Sequence, residues 1–253
     1  ATARLTTAAF TASTFGNWTS VGGLSGTALH TVAADAANDG VAYAAGGSNV
    51  YKTTDGGNNW AALAGGINGK DVRALAVDNL KVYASTRDSF GAGPAKIFKS
   101  INAGGAWAES LSDGGSPGEQ IKSLAIDPAN PDILYAGNFK LPSYDGTTSL
   151  IIKSTTAGSI WDHLPNSTAS GAELGAYALA IDSSGVVYTG GAGTPNLAKS
   201  TNGGLSWTDI PIAGVSVFVY SLAIDPKSAS TIYAGTRDQG IFKSTDSGST
   251  FTT

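Results

Sequence analysis

Lys243–Phe251 reads KSTDSGSTF, and four earlier segments repeat its plan: KTTDGGNNW from Lys52, KSINAGGAW from Lys99, KSTTAGSIW from Lys153 and KSTNGGLSW from Lys199. The shared skeleton is Ser or Thr, any residue, then Asp, Asn or Thr, any residue, Gly, two free positions and an aromatic. A worn trace without the lysine, TASTFGNW, ends at Trp18. The aromatics therefore return at roughly 45-residue intervals, the length of a four-stranded propeller blade. The pattern has a physical basis. Hydroxyl and carboxylate or amide side chains accept hydrogen bonds from nearby backbone N–H groups and close a tight turn. Gly57, Gly104, Gly158, Gly204 and Gly248 supply the positive φ such a turn needs. Trp60, Trp107, Trp161 and Trp207 are then expected to be mostly buried between blades.

A second block precedes each of these turns: TVAAD to Asp35, ALAVD to Asp78, SLAID to Asp127, ALAID to Asp182 and SLAID to Asp225. A tyrosine-bearing strand follows it in every unit (AYAAG, VYAST, LYAGN, VYTGG, IYAGT). The apolar run in each block is continuous, as expected of a strand covered on both faces. Its central alanine (Ala33, Ala76, Ala125, Ala180, Ala223) suits the crowding beside a propeller axis. Helical periodicity is missing throughout.

These units predict an all-β chain: one β-propeller domain over 1–253, with five four-stranded blades. The blades fall at roughly 22–65, 66–112, 113–165, 166–212 and 213–253. The last unit holds three strands, so the orphan Trp-led strand in 11–21 is expected to pair beside Phe242–Ser244 and close the ring. Residues 1–10 belong to no blade and are candidates for pairing with a neighbouring subunit.

Bulk properties narrow the function. Net charge is −4 with only 13% charged residues, which leaves no basic excess for nucleic acid. No long apolar run predicts a membrane-inserting segment. Cysteine is absent, which removes disulfides, thiolate metal sites and cysteine nucleophiles. The low charge, with abundant Thr, Ser, Gly and Asn, suits an extracellular, cell-surface or periplasmic protein. Leader cleavage or excision from a longer chain would explain the Ala-Thr-Ala start. Asn17-Trp18-Thr19 and Asn166-Ser167-Thr168 match the N-glycosylation pattern.

Catalytic machinery is not evident. The two histidines, His30 and His163, lie in different blades, and no nucleophile-elbow, zinc or calcium-loop spacing occurs. No cofactor or metal is expected. The five Asp residues closing the apolar blocks read as turn formers, because a catalytic group is not needed in every blade. More informative are the equivalent positions three residues before each Val/Leu-Ala pair's alanine: His30, Arg73, Lys122, Tyr177 and Tyr220. Equivalent positions in a propeller form a ring, here at the mouth of the central channel. The neighbouring loops add Arg87, Lys140 and Arg237, with Asp88, Phe139, Tyr144, Asp145 and Asp238. This mixture of cations and aromatics can clamp a carboxylate or stack on a sugar.

Taken together, the turns and the LAIDP…IYAGT…IFKSTD layout resemble the Asp-box, or BNR, repeat family, over nearly the whole chain from Trp18 to Phe251. That family includes sialidases, xyloglucan-cleaving glycoside hydrolases, sortilin-type receptors and photosystem-assembly propellers, and the layout is nearest to the last three. The resemblance implies that the signature turn lies on the face opposite the binding site. It does not select a chemistry. The sialidase Arg-Ile-Pro signature is absent, although Arg73, Arg87 and Arg237 with Tyr177 or Tyr220 and Glu173 could imitate its cluster. Xyloglucanases hold substrate between two propellers, and this chain holds one. The expected function is a non-enzymatic secreted or cell-surface scaffold that binds protein or glycan, or builds a surface assembly. The alternative is a glycoside hydrolase, or a fragment of one, using two of Asp88, Asp145, Glu173 and Asp238.

Overall fold

The computed structural model describes Leu24, 28–46, 49–65, Ile67, 70–87, 95–112, 120–139, 151–165, 176–191, 196–212 and 218–252. The protein is an all-β, five-bladed β-propeller. Each blade is an antiparallel meander. Blade 1 comprises Thr31–Ala34, Ala42–Gly46, Asn49–Thr53 and Ala61–Ala62, and blade 2 comprises Asp71–Asp78, Lys81–Arg87, Lys96–Ser100 and Ala108–Ser112. Blade 3 follows with Gln120–Ile126, Leu134–Phe139, Ile151–Ser154 and Asp162–His163. Blade 4 has Ala178–Ile181, Val187–Gly190, Leu197–Ser200 and Thr208–Asp209. Blade 5 has Val219–Asp225, Ser228–Thr236 and Ile241–Ser244, and its outer position is begun by Thr252, which bridges to Lys243. That bridge repeats the pairing of the earlier lysines with the residue after the aromatic, as in Lys199 with Thr208. The expected closing strand in 11–21 and the extension 1–10 lie outside the described residues.

The signature turns form as their residue types demand. Ser200 Oγ accepts from Gly204 N at 2.8 Å and donates to Asn202 Oδ1, which in turn accepts from Ser206 N at 3.0 Å. The same pair of bonds recurs with Thr53 and Asp55, Ser100 and Asn102, Ser154 and Thr156, and Ser244 and Asp246. The turn uses two successive left-handed residues. Glycine fills the second in every blade, whereas Ala103, Ala157 and Ser247 occupy the first at φ 56°, 51° and 57°. L-residues persist there only because the surrounding bonds over-determine the backbone. The block-closing aspartates are turn formers too, with Asp35, Asp127, Asp182 and Asp225 each accepting from the backbone N–H two residues on.

The core sits between blades. Leu75, Leu124, Leu179 and Leu222 are buried against Tyr43, Tyr83, Tyr135 and Tyr188 of the preceding blade. Each leucine so buried is worth about 1.5–3 kcal/mol. The tyrosines also lock the junctions with polar bonds. Tyr83 and Tyr135 donate to the carbonyls of Ala157 and Gly203, at 3.0 and 3.2 Å, in the next blade's signature turn. Lys99 and Lys153 bond the same two carbonyls. The tryptophans contribute unequally: Trp207 is fully buried, while Trp60, Trp107 and Trp161 remain partly exposed. Tyrosine, more than tryptophan, anchors the blades.

Candidate functional site

Every inner strand starts at the channel mouth, and the strand after it returns there. In blade 2 the register pairs Asp71 with Arg87, at one end, and Asp78 with Lys81 at the other. The third strand runs away from the mouth and delivers Ser100, with its turn, to the Lys81 end. Signature turns and candidate site therefore occupy opposite ends of the blades.

A backbone irregularity aims the site residues. The ladder slips between Val72 and Ala74, between Gly137 and Asn138 opposite Lys122, and between Val219 and Ser221. Arg73, Lys122 and Tyr220 are thus the extra residues of β-bulges. A bulge leaves its residue unpaired and turns the side chain out of the normal alternation. His30 and Tyr177 sit one residue ahead of the blade 1 strand and of Ala178.

Two groups result. The first gathers round Asp71, a residue not anticipated from the sequence. Its carboxylate bonds Arg73, accepts from Arg87 at 3.2 Å and lies 3.6 Å from His30 Nε2. Lys122 joins from blade 3: burial, then the Arg73 and Arg87 charges, hold its ammonium below the ordinary lysine value, against the opposing pull of Asp71. Among the described residues, then, three cations gather round one carboxylate, an excess of positive charge. The Nε atoms of Arg73 and Arg87 are buried and have no hydrogen-bond acceptor. Buried donors without acceptors are costly, and an incoming anion offers what they lack.

The second group is aromatic. Tyr177 and Tyr220 meet edge to face at 5.1 Å, Phe218 lies 6.0 Å from each, and the Arg237 guanidinium stands 5.8 Å from the Phe218 ring. Burial and the neighbouring Tyr220 raise the Tyr177 hydroxyl pKa. Phe218 was also missed. The one signal was position: Asp71 and Phe218 each stand two residues before a ring position, Arg73 and Tyr220. Lys140, Tyr144, Asp88, Asp145, Glu173, Asn17 and Asn166 lie outside the described residues. Among the described residues no group of three potential metal ligands occurs. No described helix is long and apolar enough to cross a membrane.

No protein-family model matches the chain, and no curated protein matches it in sequence. Solved structures do match in fold. A GH74 enzyme of Niastella koreensis superposes with a TM-score of 0.65 at 20% identity, over 88% of this chain and 38% of that one. PorZ, a surface component of the type-IX secretion system of Porphyromonas gingivalis, gives 0.60 at 17% identity, over 92% of this chain and 35% of that one. YCF48 bound to D1 peptide gives 0.52 at 12% identity, over 89% and 80%. The chain thus spans little more than a third of the first two. What these proteins share with it is the architecture, and by that architecture the chain is a β-propeller of the kind found both in a GH74 enzyme and in a secretion-system surface component.

Proposed function

We propose that this propeller is an Asp-box repeat scaffold of an extracellular, cell-surface or periplasmic setting, whose channel mouth binds an anionic group on a protein or glycan partner. The observation that carries the reading is the excess of Arg73, Arg87 and Lys122 over the single Asp71 carboxylate, with two buried guanidinium N–H donors unused. The aromatic group beside it offers a flat apolar face, which suits a sugar ring or a hydrophobic side chain next to the anionic group. The setting is favoured by the low charge with abundant Thr, Ser, Gly and Asn, and by similarity to a secretion-system surface component and to the extracellular domain of a B. thetaiotaomicron protein. The peptide complex of YCF48 makes a peptide partner reasonable.

The hydrolase reading has weaker support. Two-carboxylate glycoside hydrolysis needs an acid and a second carboxylate facing across the scissile bond. The described mouth group holds one carboxylate, and the arginines keep it occupied. Calorimetry with an oligogalacturonate and with a glutamate-rich peptide tests the proposal, alongside chromogenic glycosides. The R73A/K122A double variant is expected to weaken binding of the anionic probe at least about tenfold, roughly the loss of one charge-assisted contact. Binding equal to the parent's for every probe overturns the assignment, and glycoside turnover abolished by Asp238→Asn would favour the enzyme.

A further inference from the structure

Five blades closed into a ring would make five junctions, and the described residues seal four. Each sealed junction has the same parts. A tyrosine and a lysine pair across two strands, one or both of them bond the carbonyl at the fifth position of the next blade's signature turn, and a branched residue of the next inner strand covers the tyrosine. The carbonyls of Ala103, Ala157, Gly203 and Ser247 are taken in this way by Tyr43, by Tyr83 and Lys99, by Tyr135 and Lys153, and by Lys199.

The parts for a further junction are present on blades 5 and 1, and both halves are open. On blade 5, Tyr233 pairs with Lys243, whose ammonium sits 5.5 Å from the ring, as in the sealed blades. No carbonyl among the described residues receives either. Tyr233 is 37% exposed and Ile241 67%, whereas their counterparts Tyr83 and Ile97 are at 0%. On blade 1, Val32 is 40% exposed where Leu75, Leu124, Leu179 and Leu222 are at most 4%. Gly56, at the fifth position of the blade 1 turn, faces open space, whereas its counterpart Gly203 meets the Lys153 ammonium. Trp60 joins none of the apolar clusters, while Trp107, Trp161 and Trp207 each pack into the junction with the preceding blade.

We infer that these two faces form an interface between copies of the chain, with blade 5 of one copy seated on blade 1 of the next. The occupant is argued from continuity with the existing junctions: the blade 5 face is built to receive a signature-turn carbonyl and a branched residue, and the open blade 1 face offers both. The two faces differ, so the contact is heterologous, and each copy keeps one free half. Copies therefore add head to tail.

Sedimentation velocity over a range of concentrations tests this, with thermal melting of the same samples. The parent is expected to associate as concentration rises. Ile241→Asp spoils only the blade 5 half and Val32→Asp only the blade 1 half, so each alone loses association without a change in melting temperature at low concentration. An equimolar mixture of the two still holds one intact pair of halves, and it is expected to form dimers and nothing larger. Tyr233→Phe, which removes one hydroxyl, is expected to weaken association. A parent that stays monomeric at every concentration overturns the inference. So does a marked fall in the melting temperature of monomeric I241D or V32D, because it shows the junction sealed within one copy. Association of both variants at the parent's level overturns it as well.

Discussion

The Tyr135 hydroxyl donates to the Gly203 carbonyl at 3.2 Å, joining residues 68 apart in the chain through one bond between blades 3 and 4. Lys153 bonds the same carbonyl at 3.0 Å. Tyr135→Phe keeps the packing and the lysine bond, so it is expected to cost about 0.5–1.5 kcal/mol, one net hydrogen bond. Tyr135→Ala also empties the junction and is expected to cost about 3–5 kcal/mol. Denaturant unfolding of both variants checks the difference.

The signature aromatics are predicted to be unequal. Trp207 is fully buried within the blade 3–4 cluster, so Trp207→Ala should cost about 3–5 kcal/mol. Trp60 is partly exposed and belongs to no apolar cluster, so Trp60→Ala in dilute solution should cost less, about 1 kcal/mol. Equal losses in thermal or chemical denaturation would show that the turn, and not the junction, sets the contribution of the aromatic.

Stability is expected to narrow at both ends of the pH scale. Backbone and side-chain bonds from Asn59 hold the Asp55 carboxyl at about 2, and those from Thr250 hold Asp246 there too, against an ordinary 3.8. A depressed carboxyl stabilises the folded chain above its unfolded pKa, and the contribution disappears as pH falls from about 4 towards 2. The double variant D55N/D246N should keep the turns, as Asn102 and Asn202 do, and flatten this acid limb. Burial pushes the Tyr43, Tyr83 and Tyr135 hydroxyls up to about 12, from 10.0. Unfolded tyrosines ionise first, so stability falls as pH rises from about 10 to 12. Melting temperatures across pH read both limbs.

Anion binding at the mouth is predicted to weaken on the alkaline side sooner than an ordinary lysine would dictate. Burial, with Arg73 and Arg87 adding to it, lowers the Lys122 pKa, so its charge is lost earlier as pH rises. Lys122→Arg keeps the charge throughout this range and should remove that alkaline fall. Titrations with an oligogalacturonate at several pH values compare the two proteins. Identical profiles would show that Lys122 takes no part.

Why was the fold so legible? A repeated Ser-x-Asx-x-Gly turn and a repeated apolar block can close a chain in few ways, and five copies remove most of the ambiguity. The turn-forming role of Asp35, Asp127, Asp182 and Asp225 was equally readable, because each needs only its own neighbours. The candidate site could be read from the sequence as a set of positions but not as a set of partners. Equivalence picked out Arg73, Lys122 and Tyr220, yet the bulges that redirect them arise from register between strands, which one strand cannot reveal. Asp71 escaped because its role depends on Arg87 reaching back from the next strand. The open Tyr233 face was hidden for a related reason: its residues are the same as in sealed junctions, and only the neighbour differs.

The bulges at Arg73, Lys122 and Tyr220 separate two kinds of inheritance in this molecule. A residue outside the ladder bears no cross-strand register, so replacing it leaves the neighbouring pairs in place. The binding proposed for the mouth can then drift by single substitutions while the barrier to unfolding stays where the tyrosine junctions set it. For protein engineering, those three positions are natural places to randomise a combinatorial library on an unchanged frame.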